Sequence, residues 1–167
     1  DGDYVTAIEK FRDQGIMLYG SFVFGYDSDT PATIEATTEF AMRARFSLVN
    51  FTALSPTPGS HAYERLRREG RLLYNRWWLD PSYRYGDVTF QPKKMTPVEL
   101  AEACIRARET FYSYRSTVYR ALEPRTNCRS PVNLGLFLLA NYQARKEIFN
   151  KLGQPLGADS PLEPLCE

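Results

Sequence analysis

Histidine occurs once in this chain, at His61, and cysteine three times, at Cys104, Cys128 and Cys166. A zinc site or a Cys-His nucleophile built from this chain alone is therefore not expected. The cysteines form no C-x-x-C pair and have no metal-ligand spacing, so they read as reduced thiols of a cytoplasmic protein. Charge of one sign is missing too: Lys and Arg number 21 against 20 for Asp and Glu, which leaves no global field to draw nucleic acid or an anionic membrane. No run approaches roughly eighteen consecutive apolar residues, and no charged leader precedes an apolar stretch, so neither a membrane span nor a signal peptide is expected. No Met stands first, and Asp1 opens directly into a helical pattern. The expectation is a fragment of a longer chain, with 167 residues being enough for one core or for part of a larger one.

What is present begins with the stretch from Gly15 to Pro31. Asp3 caps a short helix with Val5, Ile8 and Phe11 three apart, and Gly15 ends it. The run Ile16 to Phe24 is almost wholly apolar, which predicts a buried strand covered on both faces. Gly25-Tyr26-Asp27-Ser28-Asp29 is turn chemistry, after which Thr30 or Asp29 caps a helix that carries Pro31 in its first turn and runs to about Arg45. A second strand over 47–54 contains Asn50, Thr52 and Leu54 on one face. A polar pair on a buried strand requires partners or a ligand. Two strands joined by a helix of this length form a parallel, right-handed βαβ unit. Its site belongs at the carboxyl ends of the strands, near 25–29 and the rigid turn Ser55-Pro-Thr-Pro-Gly-Ser60.

Ser60 caps a helix through Arg68, whose charges read as a solvated face. From Arg71 to Pro92 periodicity is lost and aromatics gather: Tyr74, Trp77, Trp78, Tyr83, Tyr85 and Phe90. Such an arm is either a functional lid or a strap stapled to the surface by its rings. Thr96-Pro97-Val98-Glu99 is a capping box, and the stripe Leu100, Cys104, Ala107, Phe111, Tyr114, Val118, Ala121 predicts one helix to about Leu122. Ser130-Pro131 opens a last helix through Leu152, and its apolar middle, Leu134 to Ala140, is expected to be buried within the chain or against a partner. Four zones result: an α/β part over 1–60, a helix and aromatic linker over 61–93, a helical extension over 94–153, and a loosely ordered tail over 154–167.

The serial order of several strings resembles the later part of radical S-adenosylmethionine enzymes. They are Gly-Ser-Phe-Val-Phe-Gly-Tyr-Asp-Ser-Asp-Thr-Pro at 20–31, Leu-Ser-Pro-Thr-Pro-Gly-Ser at 54–60, Glu69-Gly70-Arg71-Leu72, Val88-Thr89-Phe90-Gln91-Pro92, Met95 to Leu100, and Phe111-Tyr112-Ser113. That order is similar to the cobalamin-binding subgroup, which includes hopanoid methylases and anaerobic magnesium-protoporphyrin ester cyclases. The resemblance implies an α/β fold, the last βα units of a partial (β/α)6 barrel followed by a helical carboxyl-terminal extension. The family's fifth-strand motif, G-x-I-x-G-x-x-E, contacts the adenosyl group and maps onto Ser21, Val23, Gly25 and Ser28. Its first glycine and its acid are unmatched, and Asp27 or Asp29 is the candidate acid. The sixth strand, which holds the adenine, corresponds to Thr52, Ala53 and Leu54.

The implied cofactors are S-adenosylmethionine, a [4Fe–4S] cluster and cobalamin, all in the full-length parent. The triple-cysteine loop that holds such a cluster is absent, so the fragment alone is expected to be inactive and to bind none of them. The expected partner is the missing amino-terminal part of the same polypeptide, or a second copy of the chain. The alternative is a non-catalytic helical interaction or oligomerisation module. Single-strand nucleic-acid binding through Arg106, Arg108, Arg115, Arg120, Arg125 and Arg129 with Tyr112 and Tyr119 is weaker still, since acids interrupt the row. Of the two turn aspartates, Asp29 reads as structural and Asp27 as the one nearer a ligand.

Overall fold

A computed structural model describes residues 3–156. The elements in order are helix α1 (Tyr4–Asp13), strand β1 (Tyr19–Phe24), helix α2 (Pro31–Arg43), strand β2 (Leu48–Ala53) and helix α3 (His61–Arg68). Then come a 3-10 turn (Trp77–Leu79) and helices α4 (Pro97–Phe111), α5 (Tyr114–Ala121) and α6 (Pro131–Glu147).

Local chemistry sets most of these boundaries. The Asp3 side chain accepts from the Thr6 N–H at the start of α1. Thr30, rather than Asp29, caps α2, with Thr33 closing a capping box and Pro31 in the first turn. The Thr96 and Glu99 box opens α4 as its sequence predicts.

The two strands pair in parallel, Tyr19 with Leu48 through Phe24 with Ala53. Residues two apart share a face, so Gly20, Phe22 and Phe24 lie beside Val49, Phe51 and Ala53. That face packs against α2 and α4. Phe51 is fully buried, with its ring 5.4 Å from Phe22, 6.0 Å from Phe24 and 6.0 Å from Phe111. Each such pair contributes about 1 kcal/mol beyond its buried area. The opposite face is different. Tyr19 is 63% and Val23 38% exposed, and Ser21 is exposed between them. The prediction of a strand buried on both faces is thus corrected: among the described residues one face is covered, and the ordered strand starts at Tyr19 rather than Ile16.

The helices of the second half differ from the sequence reading at two places. The long helix over 96–122 is broken at Tyr112 and Ser113, because Ser113 adopts an extended backbone and its hydroxyl accepts from Ser116 N–H, starting a new helix. The break re-aims the chain, so α5 buries Ser116 and Arg120 and leaves Tyr114 and Val118 exposed. In α6 only Phe137 and Asn141 are buried, and Leu136, Leu138 and Leu139 stand in solvent. Of the two covers expected for that segment, one within the chain is not seen among the described residues, and one against a partner stays an expectation. The helix also stops at Glu147, five residues short of Leu152, and turns follow.

Part of the expected loose tail is held in place. Arg84 bridges to Pro155 in antiparallel fashion, Tyr85 N–H donates to Gln154 O, and Gly153 N–H donates to Tyr85 O. The remainder, 157–167 with Cys166, lies outside the described residues. No helix of the described residues is long and apolar enough to cross a membrane.

Candidate functional site

Parallel pairing places the two strand tips, 25–29 and 54–60, on the same rim of the sheet. The first tip is tied down from within. Gly25 sits at φ 105°, a backbone region that side chains resist, and the Asp29 carboxylate accepts from the N–H groups of Gly25 (2.9 Å) and Tyr26 (3.0 Å). Asp29 is thus a turn former, as its sequence context predicts.

Asp27 points the other way. Its carboxylate meets Arg65 at 2.9 Å, Arg71 at 2.9 Å and Lys93 at 3.0 Å. The hydrogen bond from Lys93, helped by Arg71 and the nearby Arg65 charge, outweighs burial and holds the Asp27 carboxyl below its usual range. For Arg71 burial opposes the charge, but Glu69 and Asp27 win and its pKa is raised. Asp27 therefore clamps the loop to α3 and to the segment before α4. That geometry suits an ion-pair hub rather than a proton donor.

The second tip carries the aromatic arm. Trp77 Nε1 donates to Pro56 O at 3.2 Å, and Trp77 lies 5.9 Å from Trp78 and 5.2 Å from Tyr83 between ring centroids. Tyr63 of α3 reaches Trp78 at 6.2 Å and donates its hydroxyl to Asn75 O. Val88, Thr89 and Phe90 enter the core. The arm is stapled along its length by rings, which was one of its two sequence readings.

Between these tips lies the open sheet face. It pairs Tyr19 with Leu48, Ser21 with Asn50 and Val23 with Thr52. The two edges of the sheet are treated differently. In a parallel ladder the N–H and C=O of one residue point to the same side. Leu48 and Leu54 donate toward β1, to Leu18 O and Phe24 O, so Val49 and Phe51 point to the outer edge of β2. There the Tyr112 hydroxyl both accepts from Val49 N–H (3.1 Å) and donates to Val49 O (2.6 Å), and Arg108 Nε donates to Phe51 O (2.9 Å). Arg108 of α4 and Tyr112 at its C-cap have sealed that edge. The outer edge of β1, at Tyr19, Ser21 and Val23, has no partner strand among the described residues.

Of the residues singled out in the sequence, Ser21, Val23 and Thr52 share the open face. Ala53 falls on the covered face opposite Phe24, and both Ala53 and Leu54 pack against the core. Leu54 gives its backbone N–H to Phe24 O. At Gly25 an added Cβ would lie 2.8 Å from Leu100 Cδ2 and 2.9 Å from Phe90 Cζ. Its smallness serves the fit of those buried side chains beneath the loop. The arginine row of the nucleic-acid reading disperses: Arg106 pairs with Glu102, Arg125 with Glu9, Asp13 and Glu123, Arg120 is fully buried, and Tyr112 is buried on the sheet edge.

Sequence reasoning missed the edge-sealing pair Arg108 and Tyr112. The available signal was that Arg108 lies four residues beyond Cys104, on the flank of the buried stripe. The described residues do not fit an iron–sulfur cluster. Among the described residues no three of His, Cys, Asp and Glu gather to hold a metal, and Cys104 is buried with its thiol pushed up to about 11 by desolvation.

Over 110 residues the chain is 28% identical to the bacteriochlorophyllide d C-12(1)-methyltransferase of Chlorobaculum tepidum, a match covering 66% of this chain and 23% of that protein. Over 71 residues it is 33% identical to the hopanoid C-2 methylase of Rhodopseudomonas palustris, covering 42% of this chain and 14% of the relative. It is also 25% identical over 107 residues to the anaerobic magnesium-protoporphyrin IX monomethyl ester cyclase of Cereibacter sphaeroides, covering 64% of this chain and 16% of that protein. The chain thus spans about a quarter or less of the length of these relatives. No family model and no solved structure matches it.

Proposed function

We propose that this chain is the carboxyl-side part of a radical S-adenosylmethionine enzyme of the methylase or cyclase type. Its open sheet face walls the cofactor pocket, and its aromatic arm borders the substrate side. The observation that carries this reading is the asymmetry of the sheet. One face is packed under helices and the other holds Ser21, Val23, Asn50 and Thr52 in the open; one edge is sealed and the other is left for a strand. A βαβ unit of this kind suits the end of a barrel better than a finished domain. The similarity to two methylating enzymes and a cyclase, each several times longer, supports it.

S-Adenosylmethionine supplies the reacting group when bound. The residues of this chain orient it: the Ser21 and Thr52 hydroxyls face the open side with Val23 as an apolar contact, while the clamped 25–29 loop and the stapled arm fix the rim. Cobalamin, and the thiolates for a cluster, belong to the upstream part in this reading.

The test is to express the chain together with the upstream part of its polypeptide and to measure bound iron and 5′-deoxyadenosine formation under reducing conditions. Both are expected in the joint preparation and neither in the chain alone. Absence of both from a stable joint preparation overturns the proposal. If the chain also self-associates, the alternative of an interaction module gains, with the exposed Leu136, Leu138 and Leu139 of α6 as its surface.

A further inference from the structure

Beyond Ile148, the last buried residue of the described chain, the segment 149–156 is exposed or half-exposed throughout, yet it turns back onto the molecule. It lands on the tip of the aromatic arm. Gly153 N–H donates to Tyr85 O at 3.0 Å and Tyr85 N–H donates to Gln154 O at 2.9 Å, beside the antiparallel bridge of Arg84 with Pro155. Leu152 lies so close over Gly86 that a Cβ at Gly86 would stand 2.5 Å from Leu152 Cδ2. The arm's tip, 84–87, is itself held between two buried side chains, Tyr83 and Val88. One partner in this contact is thus anchored on both sides, and the other leaves the core at Ile148.

The contact closes a cleft of about 160 Å³, which Tyr85, Gly86 and Leu152 line together with the buried Cys104 of α4. Tyr85 and Ile148 also line a larger cleft of about 480 Å³ beside it. What holds the segment on the arm is weak enough to part while the rest of the chain stays folded. Two hydrogen bonds and one half-buried leucine each count, net, for about fivefold to tenfold in an equilibrium. Taken together they leave the parted form at roughly one molecule in a hundred to a thousand. Global unfolding of a domain is rarer, at roughly one in several thousand or fewer.

We propose that 149–156 is a hinged strap, which swings beyond Ile148, parts from the arm at Tyr85 and Gly86, and so opens the smaller cleft to its Cys104 wall. That such a strap gates a cofactor or substrate rests on the function proposed above; the movement itself stands on the contacts. In the full chain carrying Cys128→Ser and Cys166→Ser, Cys104 is the only thiol. Its labelling by N-ethylmaleimide, relative to the urea-unfolded chain, is expected to report opening at least about tenfold more frequent than the exchange of the Leu54 amide, which is bonded across the two strands. Adding Arg84→Cys with Pro155→Cys puts two thiols at paired positions of an antiparallel bridge, about 4.5–5.5 Å apart at Cα and within disulfide range. Labelling of Cys104, followed by peptide mass, is expected to slow at least about tenfold with that disulfide closed and to recover on its reduction. Amide exchange gives a second reading without the disulfide. The Tyr85 and Gly153 amides are expected to open within about twofold of each other, and Leu152→Ala to speed both about fivefold while leaving Leu54 unchanged. Labelling no more frequent than the Leu54 amide allows, labelling that the closed disulfide leaves as before, or Tyr85 and Gly153 amides that open separately or ignore Leu152→Ala overturns the strap. If the disulfide does not form, the two amides decide alone. None of these readings uses iron, S-adenosylmethionine or the upstream part, so the strap and the proposed function fail separately.

Discussion

Gly25→Ala is expected to destabilise the chain by about 3 kcal/mol, from roughly 1–2 kcal/mol for placing a side chain at positive φ and 1–3 kcal/mol for overpacking. The added methyl meets buried carbons of Leu100 and Phe90 at 2.8 and 2.9 Å, and both of those residues are fully buried and cannot swing aside. For a chain of this size the loss corresponds to a fall in Tm of about 10 °C. Thermal and denaturant unfolding give the number. Pairing the change with Phe90→Leu, measured against Phe90→Leu alone, is expected to recover the Phe90 share of the clash and to keep the Leu100 share and the backbone part. A loss of less than about 0.5 kcal/mol for Gly25→Ala alone, the range of ordinary surface changes, would contradict this reading of the tip.

Arg120→Met is expected to cost more, about 4 kcal/mol, in the range of changes that break a buried network. Arg120 is wholly buried, and no carboxylate among the described residues pairs with it. Its Nη1 donates to Phe46 O (3.0 Å) and Ser47 O (3.1 Å), its Nη2 to Phe111 O (2.9 Å) and Asn141 Oδ1 (2.8 Å), and its Nε to Ser116 Oγ (3.2 Å). The guanidinium also lies 3.7 Å from the centroid of the Phe111 ring. One side chain thus joins the start of β2 to α4, α5 and α6.

Two effects compete when it is replaced. Removing a buried cation relieves a desolvation penalty of several kcal/mol, and that penalty is visible in the pKa of Arg120, which burial pulls down to about 9. Against this, the Phe46 and Phe111 carbonyls and the Asn141 amide oxygen lose the donor that Arg120 gives them, at about 1–3 kcal/mol each, while Ser47 O keeps the bond from Asn141. The second term is larger, and Met cannot supply any of it. Asn127 and Asn141 add to the same knot. Asn127 Nδ2 donates to Arg120 O, and Asn141 Nδ2 donates to Ser47 O and Phe137 O. Arg120→Lys retains the charge but not the five-donor fork, so it is expected to lose most of the same stability. Unfolding midpoints of both variants within about 1 kcal/mol of the native chain would contradict the account.

How much of this was legible beforehand follows from the range of the interactions. The βαβ unit could be read because its signals are local: an apolar run, a glycine and acid turn, a Thr-Pro start, a second run, a Pro-Gly turn. The caps at Asp3, Ser60 and Thr96 are local as well. The break at Ser113 was not read because its signal, a serine cap, lies inside an apolar stripe that runs on past it at helical spacing. Arg120 looks like one more charged residue on a helix face, and only the turn between α4 and α5 carries it inward.

The same limit applies to the candidate site. Apolar continuity from Ile16 to Phe24 suggested burial on both faces, yet it does not say whether the second cover lies within these residues. Asn50 and Thr52 were the better signal. Polar residues on one side of a strand need either a partner or an opening, and the structure supplies the opening.

The most direct test of the central claim, that the open face and free edge of β1 receive the rest of a longer polypeptide, is amide hydrogen exchange on β1. It is to be followed in the chain alone and in the preparation joined with its upstream part. The amides of Tyr19, Ser21 and Val23 are expected to slow by at least about tenfold in the joint preparation, as unpaired edge amides become ladder amides. The Val49 amide, already held by Tyr112, is expected to change little. Equal exchange of the three β1 amides in both preparations would contradict the account.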